Sequence, residues 1–340
     1  MPGQTFIVGV YASMPPDRGG QADYYRLLGD QSWIDGAELP YPGDLADAEA
    51  RVWLAGHLPA HWHANAVTAI PGTMRTLGVD PSFGLASPDP DGRAAAVAFA
   101  ARIRDAIADL ADRRGHQDVT WVHLHTAPTG HPSPSVMASS LEELAGMDWM
   151  GAVPVIEHCD RYIEGRRPEK GFLSIGDELD IAAAAGVGVT VNWGRSAVEG
   201  HDAAIPLAHV RSAAERGMLS GVMFSGAGPE ASQYGYPWID GHLPMREDEP
   251  TSLMGADEVR ACVRAALGGT TPPAYFGAKM CVPASSALEE RLAMIRRVYD
   301  AVRSAVDCGP GESGESGESG EAGGVGTAGD CCGEVAHDGE

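Results

Sequence analysis

The hydrophobic and polar positions of the chain alternate between two kinds of segment. Short apolar or β-branched runs recur at a spacing of roughly 30 to 40 residues, and Ala-rich amphipathic stretches lie between them. We predict eight strands, at residues 6–12, 33–39, 62–69, 120–126, 153–158, 188–192, 221–225 and 275–280. The predicted helices cover residues 44–58, 92–114, 139–145, 174–185, 203–216, 256–267 and 285–306. This alternation is typical of a parallel sheet, and eight strands favour a closed (β/α)8 barrel, the TIM barrel of the α/β class.

An open, doubly wound sheet is the alternative arrangement of the same elements. Such a sheet is expected to carry a phosphate-binding turn after its first strand. The segment that follows the first predicted strand, YASMPPDRGGQ, has neither a GxGxxG nor a GxxxxGK[ST] pattern. The length of 340 residues, with 44% apolar and 21% charged residues, also fits a single barrel. The sequence therefore favours the closed barrel.

The composition changes abruptly near the carboxyl end of the chain. From Gly309 onward the sequence reads GPGESGESGESGEAGGVGTAGD, a tract with almost nothing to bury. We therefore predict a barrel domain over residues 1–306 and a disordered acidic tail over residues 307–340. The adjacent Cys331 and Cys332 lie in this tail, and metal binding or redox pairing by these two thiols stays open.

The charge and the hydrophobic runs exclude several classes of partner. The net charge is −23, and residues 307–340 contain nine acids and no Lys or Arg. This balance repels phosphate backbones and anionic lipids, so we expect neither a nucleic acid nor a membrane partner. No apolar run is long enough to span a bilayer, and the first residues lack the features of a signal peptide. We expect a cytoplasmic protein with reduced thiols and a small-molecule substrate.

Polar side chains stand at the ends of the predicted strands, where a parallel barrel places its functional groups. Ionisable groups inside a barrel must be paired or hydrogen-bonded to offset several kcal/mol of desolvation, so a functional pocket explains them better than packing does. The predicted site residues from these positions are Glu38, Asn65, His123, His125, Glu157, His158, Asn192, Arg195, Ser225 and Lys279.

Glu157 is the sharpest of these positions. In AVPVIEHCD an apolar strand leads directly into a carboxylate and then an imidazole. Because side chains alternate along a strand, only one of Glu157 and His158 points at the barrel axis. We interpret Glu157 as a general base or a metal ligand, and a structural ion pair with Lys279 or Arg195 is the alternative.

Other positions add binding or catalytic groups. His123 and His125 share one face of a strand and can hold a metal, bind hydroxyls or relay a proton. Lys279 is a candidate acid, Schiff-base nucleophile or anion binder. The long segment 225–255 after the seventh strand is predicted to act as a lid, and its Trp238 is a candidate stacking surface for a sugar-like ring.

The eight-strand layout, the strand that ends in IEH and the small residues at later strand ends resemble the xylose-isomerase-like TIM barrels, over roughly residues 5–305. Within that group the segments FIVGVYASMP and VNWGRSAVEG look most like an actinobacterial family of unassigned function. The resemblance implies a divalent metal bound by Glu, Asp, His and Glu on the fifth to eighth strands. Glu157 matches the first ligand, but Asn192, Ser225 and Lys279 stand where the other three are expected.

The replaced ligands disfavour the usual metal site, because an amide, a hydroxyl and an ammonium remove most of its anionic donors. A metal site rebuilt from Glu157 with His123, His125 or His158 is the alternative. The cofactor, the substrate and the oligomeric state stay open at this stage.

The resemblance implies a sugar-type isomerase or epimerase, or a related lyase, that abstracts a proton from a small polyhydroxy or keto-acid substrate. Glu157 would take the proton, Lys279 or His125 would stabilise the enolate, and Arg195 with Asn192 would orient the substrate. The remaining predicted site residues would bind substrate: Glu38, Asn65, His123, His158, Ser225 and Trp238. A barrel that binds a ligand without catalysis is one alternative. A glycoside-type hydrolase that uses Glu38 and Glu157 as its carboxylate pair is another.

Overall fold

The computed structural model describes residues 4–307 of the 340-residue chain. Eight parallel strands pair in chain order, and the last pairs with the first, so the sheet closes into a barrel. The strands are β1 (Thr5–Val8), β2 (Gly36–Pro40), β3 (Asn65–Thr68), β4 (Val119–Leu124), β5 (Val153–His158), β6 (Val189–Asn192), β7 (Leu219–Phe224) and β8 (Tyr275–Ala278). The predicted (β/α)8 fold is confirmed.

Helices surround the barrel and connect its strands. They are α1 (Arg18–Gly29), α2 (Ala48–His57), α3 (Ile70–Leu77), α4 (Pro90–Arg114), α5 (Pro134–Ala145), α6 (Ile175–Ala185), α7 (Trp193–Gly200), α8 (Ile205–Glu215), α9 (Ala256–Leu267) and α10 (Leu288–Asp307). Within residues 4–307, no helix is both long and apolar enough to cross a membrane. The predicted tail lies outside the described residues apart from Asp307, and so do Cys331 and Cys332.

Three helices, α1, α3 and α7, were not predicted. Each has glycine or proline in its first turn, residues that lower the intrinsic preference for a helix. Capping offsets this in α1, where Asp17 accepts a hydrogen bond from the amide of Gly20. In α7 the last residue of β6, Asn192, is itself the cap and accepts from the amide of Arg195 at 3.2 Å. Helix α7 therefore starts directly at a strand end, without a loop.

The barrel interior has an apolar floor. Side chains that point inward from six strands pack together there: Ile7, Ala66, Trp121, Val155, Met223 and Tyr275. Most of the remaining buried apolar side chains form a second cluster, between the strands and the helices. Because inward positions alternate along each strand, the next inward residues towards the carboxyl ends lie above this floor. On four of the six strands those residues are polar, namely Thr68, His123, Glu157 and Ser225, and they lie in the site described next.

A candidate active site inside the barrel

A cluster of ionisable side chains lies above the apolar floor, and all of its members are fully buried or nearly so. The Lys279 ammonium lies 3.0 Å from Glu38 Oε2 and 3.8 Å from Glu157 Oε1. Nη1 of Arg195 also contacts Glu157, at 2.7 Å from the same Oε1 atom. Glu157 is thus held between two cations, and it shares one of them with Glu38.

Two histidines also contact these carboxylates, and Thr68 Oγ1 donates to Glu157 Oε2 at 3.2 Å. His125 Nε2 lies 2.9 Å from Glu157 Oε2, and His123 Nδ1 lies 3.1 Å from Glu38 Oε1. The Nε2 atom of His123 lies 2.7 Å from the hydroxyl of Tyr275, which connects the cluster to the floor. Burial lowers the pKa of His125 to about 4, so its imidazole is neutral near pH 7. A neutral imidazole at this position donates a hydrogen bond to Glu157.

The charges of the region balance. Three carboxylates face three cations: Glu38, Glu157 and Asp240 against Lys279, Arg195 and Lys170. Burial opposes ionisation of Glu38, but the Lys279 ammonium and the hydrogen bond from His123 together outweigh it and lower the pKa of Glu38. Arg195, followed by Lys279, likewise holds the pKa of Glu157 well below its usual value. All six groups are therefore charged near neutral pH, and these six charges sum to zero.

Lys279 reaches the carboxylates across a glycine. Gly9 follows β1, and a Cβ atom at this position would lie 2.7 Å from Cγ of Lys279. The ammonium also lies 5.1 Å from the centre of the Tyr11 ring, in a cation–π contact. Residues Val10–Ala12 form a 3-10 turn and do not extend β1, as the predicted strand 6–12 would require. This turn places Tyr11 over the site.

The segment 225–255 covers the cluster, as expected for a lid. It returns to the barrel where Gly226 and Leu243 pair their backbones as an antiparallel bridge. Its Asp240 lies 3.1 Å from Arg195 Nε and 2.9 Å from Lys170 Nζ. Arg195 is thus shared between this segment and the cluster inside the barrel. Neither Asp240 nor Lys170 was predicted, because both lie in irregular segments without a periodic pattern.

Most of the predicted site residues come together. Glu38, His123, His125, Glu157, Arg195 and Lys279 form the cluster above. Asn192 and Ser225 lie on the same inner face, where the Ser225 hydroxyl donates to Asn192 Oδ1 at 2.8 Å. The Nδ2 atom of Asn192 has no hydrogen-bond partner within residues 4–307. This amide is thus available to a ligand.

Three predicted residues lie elsewhere, and we exclude them from the site. Asn65 is the first residue of β3, at the opposite end of the barrel, and its amide bonds the backbone of Ala37, Trp62 and Asp118. The predicted strand 62–69 began three residues before the observed strand. Asn65 was therefore expected beyond the start of the strand, on the side of its carboxyl end, but it is the first residue of β3.

His158 faces away from the barrel axis, towards the helices, and its Nδ1 lies 2.6 Å from Glu178. Trp238 stacks on His201, with ring centres 4.6 Å apart, and lines a surface pocket of about 200 Å³. That pocket is formed by the loop after β5, by α7 and by the lid, and residues of the interior cluster do not line it.

The metal site implied by the resemblance does not fit this arrangement. Asn192 and Ser225 bond each other, and the Lys279 ammonium lies 3.8 Å from Glu157, where it would repel a divalent cation. Glu38, His123 and Glu157 each offer a ligand atom within 4.8 Å of the others. Their carboxylate oxygens, however, already face Lys279 and Arg195. The two buried cations provide the positive charge that a metal would supply here.

Comparisons with known proteins agree with this architecture. The model of a family described as "Domain of unknown function (DUF4862)" matches residues 7–294. An uncharacterised protein of Salmonella typhimurium strain LT2 is 32% identical over 310 residues, which cover 88% of this chain and 97% of that protein.

Solved structures with the same fold are more distant in sequence. A D-tagatose 3-epimerase-like protein aligns with a TM-score of 0.57 at 12% identity, over 89% of this chain and 100% of its own. A xylose isomerase domain protein from Planctomyces limnophilus aligns with a TM-score of 0.50 at 13% identity, over 90% and 98% of the two chains. The fold is therefore that of the xylose isomerase-like TIM barrels. That this family is actinobacterial stays a prediction.

Proposed function

The chain belongs to the DUF4862 family, and from this membership and the barrel site we propose that it is a sugar-type isomerase or epimerase. It moves a proton within a small polyhydroxy or keto-acid substrate, and no metal takes part in the barrel. The observation that carries this proposal is the position of Lys279, whose ammonium lies between two buried carboxylates, 3.0 Å from Glu38 and 3.8 Å from Glu157. The names of the structural neighbours, an epimerase-like protein and a xylose isomerase domain protein, support the reaction class.

Proton abstraction next to a carbonyl needs a base and a cation. Glu157 takes the proton from the carbon beside the carbonyl, the electron pair of the broken C–H bond forms a C=C bond to the carbonyl carbon, and the π electrons of the carbonyl move onto its oxygen. The Lys279 ammonium stabilises the resulting enolate oxygen, a role that a metal ion plays in other enzymes. Protonation of the same carbon from its other face, by a second acid on that side, gives an epimer. Return of the proton to the neighbouring carbon, with transfer of the hydroxyl proton of the first carbon to the enolate oxygen, gives an isomer.

The low pKa of Glu157 makes it a weak base while Arg195 and Lys279 contact it, and substrate binding raises its basicity. Arg195 and Lys279 are the two cations that lower this pKa. Substrate oxygens that bind these cations compete with Glu157 for their charge, so the basicity of the carboxylate rises when the substrate is in place. As the enolate forms, Lys279 interacts more strongly with the substrate than with Glu38. The site therefore favours the transition state over the ground state.

The geometry does not favour the glycoside hydrolase alternative. That chemistry needs two carboxylates about 5–9.5 Å apart on either side of a glycosidic bond. Here the Lys279 ammonium lies between Glu38 and Glu157 and contacts both. The following experiment distinguishes the proposed enzyme from a barrel that binds a ligand without catalysis.

The test has two stages. The purified protein is first screened by thermal unfolding against ketopentoses, ketohexoses, their phosphates and hydroxy-keto acids, because a ligand at 100 times its Kd stabilises the folded state by about 2.7 kcal/mol. Ligands that raise the Tm are then incubated with the protein, and the products are identified by NMR.

We expect an epimer or isomer to form, and Glu157→Gln to lower kcat by at least about 100-fold. Glu143→Gln makes the same chemical change in a surface ion pair with Arg93 and is expected to keep full activity. Stabilising ligands that are never converted would contradict the proposal and support a binding barrel.

A further inference from the structure

A second group of buried ionisable side chains lies on the outer side of the barrel wall. His158 projects outward from β5, Glu199 is near the end of α7, and His209 is in α8. Each of the three is at least nine-tenths buried. The imidazole rings of His158 and His209 are 4.8 Å apart and roughly perpendicular. The reaction proposed above uses none of these three side chains.

Each of the three side chains offers a ligand atom within 4.8 Å of the others. Glu199 presents Oε2 at 3.4 Å from His158 Nε2 and Oε1 at 3.5 Å from His209 Nε2. These separations exceed the range of about 2.7–3.2 Å for N–H···O hydrogen bonds. The Nε2 atom of His158 has no hydrogen-bond partner among the described residues. Ligand atoms at about 2.0–2.2 Å from a tetrahedral zinc ion are about 3.3–3.6 Å apart, so each imidazole stands at such a distance from one of the two Glu199 oxygens.

The Nδ1 atom of each imidazole, the ring nitrogen that does not face Glu199, has a polar partner. His158 Nδ1 lies 2.6 Å from a carboxylate oxygen of Glu178, and His209 Nδ1 lies 3.0 Å from the hydroxyl of Ser196. The second oxygen of Glu178 accepts a hydrogen bond from Thr126. Partners of this kind orient metal-binding histidines and set their tautomer, which leaves Nε2 to face the metal.

The charges around this group favour a cation. Two buried carboxylates, Glu178 and Glu199, lie on either side of His158. The cation paired with Glu199 is Arg161, at 3.3 Å, but the Arg161 side chain is 48% exposed. Glu199 also lines the surface pocket of about 200 Å³, which gives an ion a route from solvent. A divalent ion would balance both carboxylates.

We propose that His158, Glu199 and His209 bind a zinc ion outside the barrel, with water as the fourth ligand. Two imidazole nitrogens and one carboxylate suit zinc, and they do not suit magnesium or calcium, which prefer oxygen. The ion would tie α7 to β5 and α8. Helix α7 also carries Arg195, one turn before Glu199, and Arg195 holds Glu157 at 2.7 Å inside the barrel. The zinc would therefore act as a positioning element for the inner site.

Metal content tests this proposal independently of any catalytic activity, so its failure and the failure of the proposed function are separable. The full-length protein is loaded with Zn²⁺, dialysed, and assayed by elemental analysis and by competition with a zinc indicator. We expect about one zinc per chain, and its loss in Glu199→Gln and His209→Ala. Glu178→Gln should weaken zinc binding by about 10- to 100-fold.

Two controls keep zinc if the site is correct. His63→Ala removes a histidine from the surface group His63, His116 and Asp118, which also brings three ligand atoms within 4.8 Å of one another. Glu157→Gln removes the carboxylate inside the barrel. Absence of stoichiometric zinc in the wild type, retention by Glu199→Gln, or loss in either control would overturn the proposal.

Two measurements on the wild type keep the proposal testable if the variants fail to fold. X-ray absorption at the zinc edge should show only nitrogen and oxygen neighbours, and sulfur neighbours would assign the ion to cysteines and overturn the proposal. Hydrogen exchange should show that zinc slows the exchange of the α7 amides. Unchanged exchange in α7 would refute the positioning role.

Discussion

Removing the ammonium of Lys279 perturbs the barrel site most directly. Lys279→Met keeps a side chain of similar length and removes only the charge. It leaves Glu38, which is fully buried, without its cation at 3.0 Å. Breaking a buried pair by removal of one partner costs about 3–5 kcal/mol. At about 2 °C per kcal/mol for a domain of this size, we expect the Tm to fall by about 6–10 °C near pH 7.

The loss of stability should depend on pH. In the wild type the pKa of Glu38 lies below its usual 4.5, because Lys279 and the hydrogen bond from His123 together outweigh the effect of burial. The ionised carboxylate therefore contributes stability above about pH 4.5, and this contribution is lost as the pH falls through the folded-state pKa. In Lys279→Met, burial without the cation raises this pKa, and ionisation then opposes folding. The difference between wild type and variant should thus grow from about pH 5 to about pH 8.

Urea unfolding followed by circular dichroism measures both effects. The double variant Glu38→Gln, Lys279→Met tests the cause, because it removes the unpaired charge and should recover about half or more of the lost stability. A loss of the same size at about pH 5 and about pH 8, with no recovery in the double variant, would refute the reasoning.

Two further variants test the lid and the passage of the Lys279 side chain across Gly9. Asp240→Asn weakens the contacts of the lid with Arg195 and Lys170. We therefore expect KM to change by about 3- to 30-fold, with only a small change in Tm. Unaltered kinetics would show that the lid does not gate the site. Gly9→Ala forces Lys279 aside and should lower kcat by at least about 10-fold. Gly56→Ala is the matched control, because no atom lies within 4 Å of the added carbon. This variant should keep full activity and stabilise α2 by about 0.5–1 kcal/mol. Equal kcat in the two variants would contradict the assigned role of Gly9.

The sequence pattern predicted the barrel because buried parallel strands leave apolar runs that periodicity detects. Glu157 and Lys279 were predicted for a similar reason, since each interrupts an apolar run at a strand end. The assignment of His158 failed because it is adjacent to Glu157, and the alternation of side chains turns one of the two outward. Asn65 failed through a shift in a strand boundary. The contact between Asp240 and Arg195 joins a lid to a helix 45 residues away, and no local pattern encodes such a pairing.

Incorporation of deuterium in D₂O tests the proposed proton transfer most directly. A ligand that stabilises the protein is incubated with wild type and with Glu157→Gln, and its C–H positions are followed by NMR. We predict that the wild type introduces deuterium at the carbon beside the carbonyl and that Glu157→Gln abolishes this exchange. Binding without any deuterium incorporation by the wild type, or equal incorporation by both proteins, would contradict the assignment of Glu157 as the base in the barrel.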